Sequence, residues 1–194
     1  EAGVNLGTLC LDDSKARSDA FTKQRQKTVR AHIASNPMIF LTGLSGSGKS
    51  TFVSNELCKP GERLYSGGDS ILSWIEDKSE GRKYLFIDEA NLSHKKWSEF
   101  EGLFNTPPTL FIKGVLYPLS DDHKVVFAGN PVSYGDERHL ASIFKEHGNA
   151  LLFTPLPYPV VYEKILKPVF SGTSLENLAP NLCMNILRAY TFLC

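Results

Sequence analysis

The sequence contains no long hydrophobic stretch, because its longest apolar runs span only about five residues. A bilayer-spanning helix needs about 20 consecutive apolar residues, so we expect no membrane span. An excess of charge of one sign is also missing, since 21 Lys and Arg residues balance 21 Asp and Glu residues. The net charge of the chain therefore gives no reason to expect a nucleic acid or an anionic membrane as the partner.

The sequence also lacks closely spaced metal ligands and closely spaced cysteine pairs. No C-x-x-C pair is formed by the four cysteines, Cys10, Cys58, Cys183 and Cys194. Isolated cysteines are typical of reduced thiols in a cytoplasmic, intracellular protein and argue against a disulfide framework. We also expect no zinc site, because no metal-ligand spacing connects His32, His123, His139 and His147.

The length and composition that are present fit one α/β core. The chain has 194 residues, of which 42% are hydrophobic and 22% are charged, ordinary values for a globular domain. It starts without Met and ends within an apolar helical pattern, so we expect a piece of a longer protein. We predict a lead-in over residues 1–17, a large α/β domain over 18–159 and the beginning of a helical lid over 160–194.

The most informative stretch is an apolar run followed by a glycine-rich loop. Met38–Thr42 is typical of a buried strand, and the next eight residues fit G-x-x-x-x-G-K-[ST] before a helix opens. In such a loop, backbone N–H groups point at phosphate oxygens, the Lys reaches the β- and γ-phosphates, and the Ser hydroxyl binds Mg²⁺. The alternative is a turn without a ligand. The pattern favours a nucleoside triphosphate site at Gly43, Leu44, Ser45, Gly46, Ser47, Gly48, Lys49, Ser50 and Thr51.

A second apolar strand ends in two acidic residues. Lys83–Ile87 is followed directly by Asp88 and Glu89. Placed next to the first strand, this strand would bring Asp88 beside Ser50, where it would complete the Mg²⁺ shell. Glu89 would then lie beside the γ-phosphate, where it can polarise the attacking water as a catalytic base. The alternative is a strand that ends in a solvated acidic turn.

A third predicted strand ends in a polar amide. Lys124–Ala128 is followed by Gly129, Asn130 and Pro131. At the carboxyl end of a parallel strand, Asn130 would point into the same crevice and hold the water or a γ-phosphate oxygen. The alternative is an Asn-Pro turn that needs no ligand.

The order of the elements predicts the fold class. Strands alternate with helices after the glycine-rich loop, which indicates an α/β three-layer P-loop NTPase fold with a mainly parallel five-stranded sheet. Lys113-Gly114 predicts a two-residue hairpin turn. A helix over Ser18–Ser35, with Ser18 as its N-cap, precedes the first strand. We expect a solvated face on this helix, formed by Lys23, Arg25, Lys27 and Arg30.

These motifs occur in an order that resembles the AAA+ ATPases, and within them most resembles the dynein, midasin and MoxR-like branch. The resemblance covers about residues 20–170 and rests on the phosphate loop, then Asp88-Glu89-Ala90-Asn91-Leu92, then the hairpin, then Ala128-Gly129-Asn130-Pro131, with Tyr134–Leu140 as a looser match. It implies ATP and Mg²⁺ as ligands, a Walker B pair at Asp88 and Glu89, and sensor 1 at Asn130. It also implies a homo-oligomer or ring whose hydrolysis remodels a macromolecular partner.

The sequence departs from this family just before the last strand of the domain, where members usually carry an arginine. Lys145-Glu146-His147-Gly148-Asn149 stands there instead. Arg138 is the first candidate for an arginine finger, with a solvated helix residue as the alternative, and Arg188 is a weak candidate for a sensor 2 arginine. The departure leaves a nucleotide-occupancy switch or scaffold with weak or no hydrolysis as the second hypothesis.

Two other classes of nucleotide-binding protein are less favoured by the sequence. A small-molecule P-loop kinase would not need the hairpin or Asn130 after an Asp-Glu pair. A McrB-like GTPase is disfavoured because no guanine-reading Asn-Lys-x-Asp segment is present.

Overall fold

Two compact units make up the chain in a computed structural model, which describes residues 11–90, 97–130 and 142–193. The sheet unit is Gln26–Thr154. The helical unit consists of the described parts of Glu1–Arg25 and Pro155–Cys194.

Seven strands are described, and five of them form one parallel sheet. The strands are β1 (Met38–Thr42), β2 (Arg63–Ser66), β3 (Lys83–Ile87), β4 (Thr109–Ile112), β5 (Val115–Pro118), β6 (His123–Gly129) and β7 (Ala150–Leu152). The order in the parallel sheet is β2-β3-β6-β1-β7, and β4 pairs with β5 as a separate antiparallel hairpin. The connection from β1 therefore leads to β2 at one edge of the sheet, and the connection from β6 leads to β7 at the other edge. Such a divergence is typical of a ligand-binding crevice.

The described helical segments are mostly short. They are α1 (Ser14–Ser35), α2 (Lys49–Phe52) with a π-helical continuation (Val53–Leu57), a 3₁₀ turn (Gly68–Ser70) before α3 (Ile71–Glu76), a 3₁₀ segment (Trp97–Phe104), α4 (Ser142–His147), α5 (Tyr158–Val161), a π-helical stretch (Tyr162–Leu166), α6 (Lys167–Phe170), a 3₁₀ turn (Glu176–Leu178) and α7 (Ala179–Leu193).

Helices cover both faces of the parallel sheet, which explains why its central strands are mostly apolar. Along β1, Ile39 and Leu41 pack on one side with the second half of α1 and with α2. Met38 and Phe40 pack on the other side with α3, the 3₁₀ segment and the hairpin. The predicted α/β class and five-stranded parallel sheet are therefore confirmed, and the two covered faces are compatible with a three-layer fold.

The helical unit has its own small core. Ala179, Cys183 and Leu187 recur every four residues on α7 and pack with Val161 and Tyr162. This spacing places them on one face of the helix. None of the helices among the described residues has both the length and the apolar character that a membrane crossing requires.

Two local predictions were wrong. β3 does not lie next to β1, because β6 runs between them and pairs with both. The helix α1 begins at Ser14, and the predicted N-cap Ser18 is buried inside it. The start of α1 is fixed by a contact distant in sequence, since the Ser14 hydroxyl donates a hydrogen bond to Glu163.

Candidate functional site

The candidate site lies where three neighbouring parallel strands end. β3, β6 and β1 are consecutive in the sheet, so their carboxyl ends meet at the same edge. The loop from Gly43 follows β1, Asp88 follows β3, and Asn130 follows β6. The error in strand order does not separate the predicted residues, because Lys49 and Ser50 at the start of α2 contact Asn130 after β6 and Asp88 after β3.

The glycine-rich loop needs glycine at three positions for two different reasons. Gly46 and Gly48 have φ of +79° and +82°, the left-handed region that other residues adopt at a cost. Gly43 instead lies against the chain leaving β7, where an added Cβ would come within 2.3 Å of the carbonyl oxygen of Phe153. The role of Phe153 was missed by the sequence analysis, since no motif marks a backbone contact.

Lys49 is buried at the first position of α2 and donates hydrogen bonds to three oxygens. Its Nζ lies 2.6 Å from the carbonyl oxygen of Gly43, 3.0 Å from that of Leu44 and 3.2 Å from Oδ1 of Asn130. Burial lowers the pKa of Lys49, and the negative charge of Asp88 partly opposes this shift. The ammonium group is therefore held between the loop and the end of β6, in surroundings that favour an added negative charge.

The next residue connects the loop with the end of β3. The Ser50 hydroxyl donates a hydrogen bond to Oδ2 of Asp88 at 2.5 Å. The other carboxylate oxygen, Oδ1, accepts a hydrogen bond from the backbone N–H of Glu89 at 2.9 Å. Glu89 has φ of +47°, an uncommon conformation for a residue other than glycine and one that clusters at functional sites.

The remaining residues of the predicted nucleotide site differ in their exposure to solvent. Leu44, Ser45 and Gly46 form the exposed tip of the loop, whereas Ser47 is buried beneath it and Thr51 is exposed on α2. Arg138 lies outside the described residues. The structure thus brings Lys49, Ser50, Asp88 and Asn130 together, with Glu89 adjacent to Asp88 in the chain.

One residue expected on a solvated face instead supports the far end of the helix that carries Lys49 and Ser50. Arg30 donates a hydrogen bond to the carbonyl oxygen of Leu57 at 2.8 Å and two more to Glu62, each at 2.7 Å. Only 15% of the Arg30 side chain and 11% of the Glu62 side chain is exposed. Gln26 bonds the carbonyl oxygen of Glu56 in the same way. Arg30 therefore satisfies a helix-terminal carbonyl that would otherwise lack an intrahelical partner.

Comparison with protein-family models gave no match to this sequence, and comparison with curated proteins found no relative. The functional interpretation therefore depends on the motifs and on the geometry of the site.

Proposed function

We propose that the chain is an AAA+ module that binds ATP with Mg²⁺ and hydrolyses it. The observation that carries the proposal is the convergence of Lys49 with Asn130 and of Ser50 with Asp88 at the ends of three parallel strands. These residues belong to three separate motifs and are up to 81 positions apart in sequence. A glycine-rich turn without a ligand would not require that convergence.

The chemistry of the donor set fits Mg²⁺. Ser50 and Asp88 offer a hydroxyl and a carboxylate oxygen that are already hydrogen-bonded to each other, and Mg²⁺ prefers such hard oxygen ligands. We propose that Ser50 and Asp88 hold the ion, which when bound would neutralise charge on the phosphates. The left-handed glycines, Gly46 and Gly48, leave room for phosphate oxygens to approach the loop backbone.

Three side chains are proposed to act on the phosphates and the attacking water. Lys49 would exchange its hydrogen bonds to loop carbonyl oxygens for bonds to phosphate oxygens. The Oδ1 atom of Asn130 accepts from Lys49, which places the amide beside the cation, and an amide Nδ2 group is a donor that suits a phosphate oxygen or water. Glu89 is the proposed general base, because it directly follows Asp88, the proposed metal-binding carboxylate, and has an unusual backbone conformation.

Assembly and coupling belong to the same proposal. We infer a homo-oligomer or ring with nucleotide held between subunits, intracellular action, and hydrolysis that drives movement of the helical unit to remodel a protein or protein–nucleic-acid partner. Arg138 is the first candidate for the arginine finger. Where such a finger is present, it raises the rate of hydrolysis by about 10³–10⁵-fold. The turnover number therefore depends on whether an arginine reaches the nucleotide.

An occupancy switch with weak hydrolysis is the second candidate function. It is favoured by the segment before β7, which has no arginine between Ser142 and Asn149. Glu89→Gln separates the two functions. In an ATPase this variant should retain ATP and release no phosphate, whereas in a switch it should change neither binding nor the partner response.

Nucleotide binding itself is tested by titrating a fluorescent ATP analogue with Mg²⁺ into the protein and into Lys49→Ala. We expect the variant to lose at least tenfold in affinity, because it removes the buried cation of the site. Ser54→Ala is the matched control on the π-helical continuation of α2, since its side chain is exposed and it is not one of the proposed ligand-binding residues. Equal affinities for the protein and Lys49→Ala would contradict the proposal.

A further inference from the structure

An imidazole and two carboxylates meet on the sheet unit, at residues that are not part of the candidate nucleotide site. The donor atoms of Glu101, Glu146 and His147 all lie within 4.8 Å of one another. Glu101 comes from the 3₁₀ segment, whereas Glu146 and His147 are the last residues of α4. Because they are 45 and 46 positions apart from Glu101, no short sequence motif could indicate the group.

The distances between the three donor atoms suit the binding of a single metal ion. Two ligands of a tetrahedral ion at about 2.1 Å are about 3.4 Å apart, and Nε2 of His147 lies 3.2 Å from Oε2 of Glu101. The third ligand atom is within 4.8 Å of both, so a side-chain adjustment of about 1 Å would complete the set.

The imidazole is held in position by contacts outside the donor group. The His147 ring stacks on Phe104 with a centroid separation of 3.7 Å and an interplanar angle of 11°. Two residues later, the carbonyl oxygen of Asn149 accepts a hydrogen bond from the backbone N–H of Phe40 on β1. The end of α4 is thereby tied to the central strand, so little conformational freedom is lost when His147 binds an ion.

Charge also favours a cation at this position. One imidazole N–H can neutralise or bond only one of the two carboxylates, and it bonds Glu101. Among the described residues, the Glu146 carboxylate has no ion-pair or hydrogen-bond partner outside the group. An ion pair on the surface contributes little by itself, whereas a divalent ion would compensate both carboxylates.

We propose that Glu101, Glu146 and His147 bind a divalent transition-metal ion of the zinc type, which connects the 3₁₀ segment to the end of α4. One nitrogen and two oxygen donors fit Zn²⁺ or Co²⁺, whereas Mg²⁺ and Ca²⁺ prefer oxygen donors alone. The ion has a structural role at this position and is independent of the Mg²⁺ proposed at Ser50 and Asp88.

Calorimetric titration of Zn²⁺ into the metal-free full chain without nucleotide tests the proposal. We expect one equivalent to bind, and Glu101→Gln and His147→Ala each to weaken binding at least tenfold. His32→Ala removes an exposed histidine elsewhere and should bind like the unchanged protein. Excess Mg²⁺ should not compete, which distinguishes this site from the nucleotide site.

Visible absorption of the Co²⁺-loaded protein provides a second measurement. We expect bands of a nitrogen- and oxygen-coordinated ion that disappear in His147→Ala and persist in His32→Ala. All of the named side chains are partly or fully exposed, so with a chelator present the variants should unfold at the same temperature as the unchanged protein. The proposal is overturned if no zinc binds, or if zinc binds equally well to Glu101→Gln and His147→Ala.

Discussion

Replacing Gly43 by alanine tests how the glycine-rich loop is held in place. The added methyl group would lie 2.3 Å from the carbonyl oxygen of Phe153 and 3.1 Å from its Cβ. The Phe153 backbone cannot move away easily, because its N–H donates a hydrogen bond to the carbonyl oxygen of Thr42 at 2.6 Å. The loop itself must therefore shift.

The size of the effect follows from overpacking a buried position. Forcing extra atoms into a well-packed site costs about 1–3 kcal/mol, which for a chain of this length lowers the melting temperature by about 2–4 °C per kcal/mol. ATP affinity should fall as well, because the shifted loop also supplies the carbonyl oxygens that position Lys49.

Urea unfolding followed by circular dichroism measures the change, with two glycines as matched controls. Gly46→Ala meets nothing within 4 Å but has a left-handed φ, so it should cost about 1 kcal/mol from strain alone. Gly68→Ala has neither a contact within 4 Å nor a left-handed φ, and should stay within about 0.5 kcal/mol. If Gly43→Ala were as stable as Gly68→Ala and bound ATP equally well, the packing argument would be refuted.

Two further predictions concern the proposed metal ligands Ser50 and Asp88 and the support of α2. Ser50→Ala should weaken binding of Mg·ATP more than binding of ATP in chelator, because it removes a proposed metal ligand; this is measured with the fluorescent analogue. Arg30→Met should destabilise the protein by about 1.5–3 kcal/mol, since it removes charged hydrogen bonds. Burial raises the pKa of Glu62, but bonds from Arg30 and the Lys59 N–H outweigh this and lower it overall. The contribution of the pair is therefore present above the ordinary carboxyl pKa and lost as the pH falls through the lowered value.

A specific result would contradict each of these two predictions. A Ser50→Ala variant with the same dependence on Mg²⁺ as the unchanged protein would exclude Ser50 from the proposed metal site. The Arg30 argument is contradicted if Arg30→Met loses as much stability on acidification as the unchanged protein does. Lys27→Met is the control for the latter, because Lys27 is an exposed cation on the same helix.

The central strands and the hairpin could be predicted from the sequence because their signals are local. Met38–Thr42 and Lys83–Ile87 match the observed strands, since burial on both faces makes each a nearly continuous apolar run. The hairpin turn at Lys113 and Gly114 has φ of +49° and +84°, the backbone that a two-residue turn between twisted strands requires.

The strand order and the long-range contacts could not be predicted in the same way. Nothing local to β3 indicates that β6, which comes later in the chain, inserts between it and β1. Arg30 looks like its charged neighbours on α1 until Glu62 and the end of α2 are placed beside it. His147 likewise looks isolated until Glu101 is brought to it by the packing of two distant segments.

Steady-state phosphate release from the purified protein with Mg·ATP, measured across protein concentrations, tests the central claim most directly. We predict a rate that rises faster than linearly with protein concentration, because neighbouring subunits complete the proposed site. The rate should vanish in Lys49→Ala and in Glu89→Gln. Nucleotide that binds through Lys49 without phosphate release at any concentration would contradict hydrolysis and favour the occupancy switch.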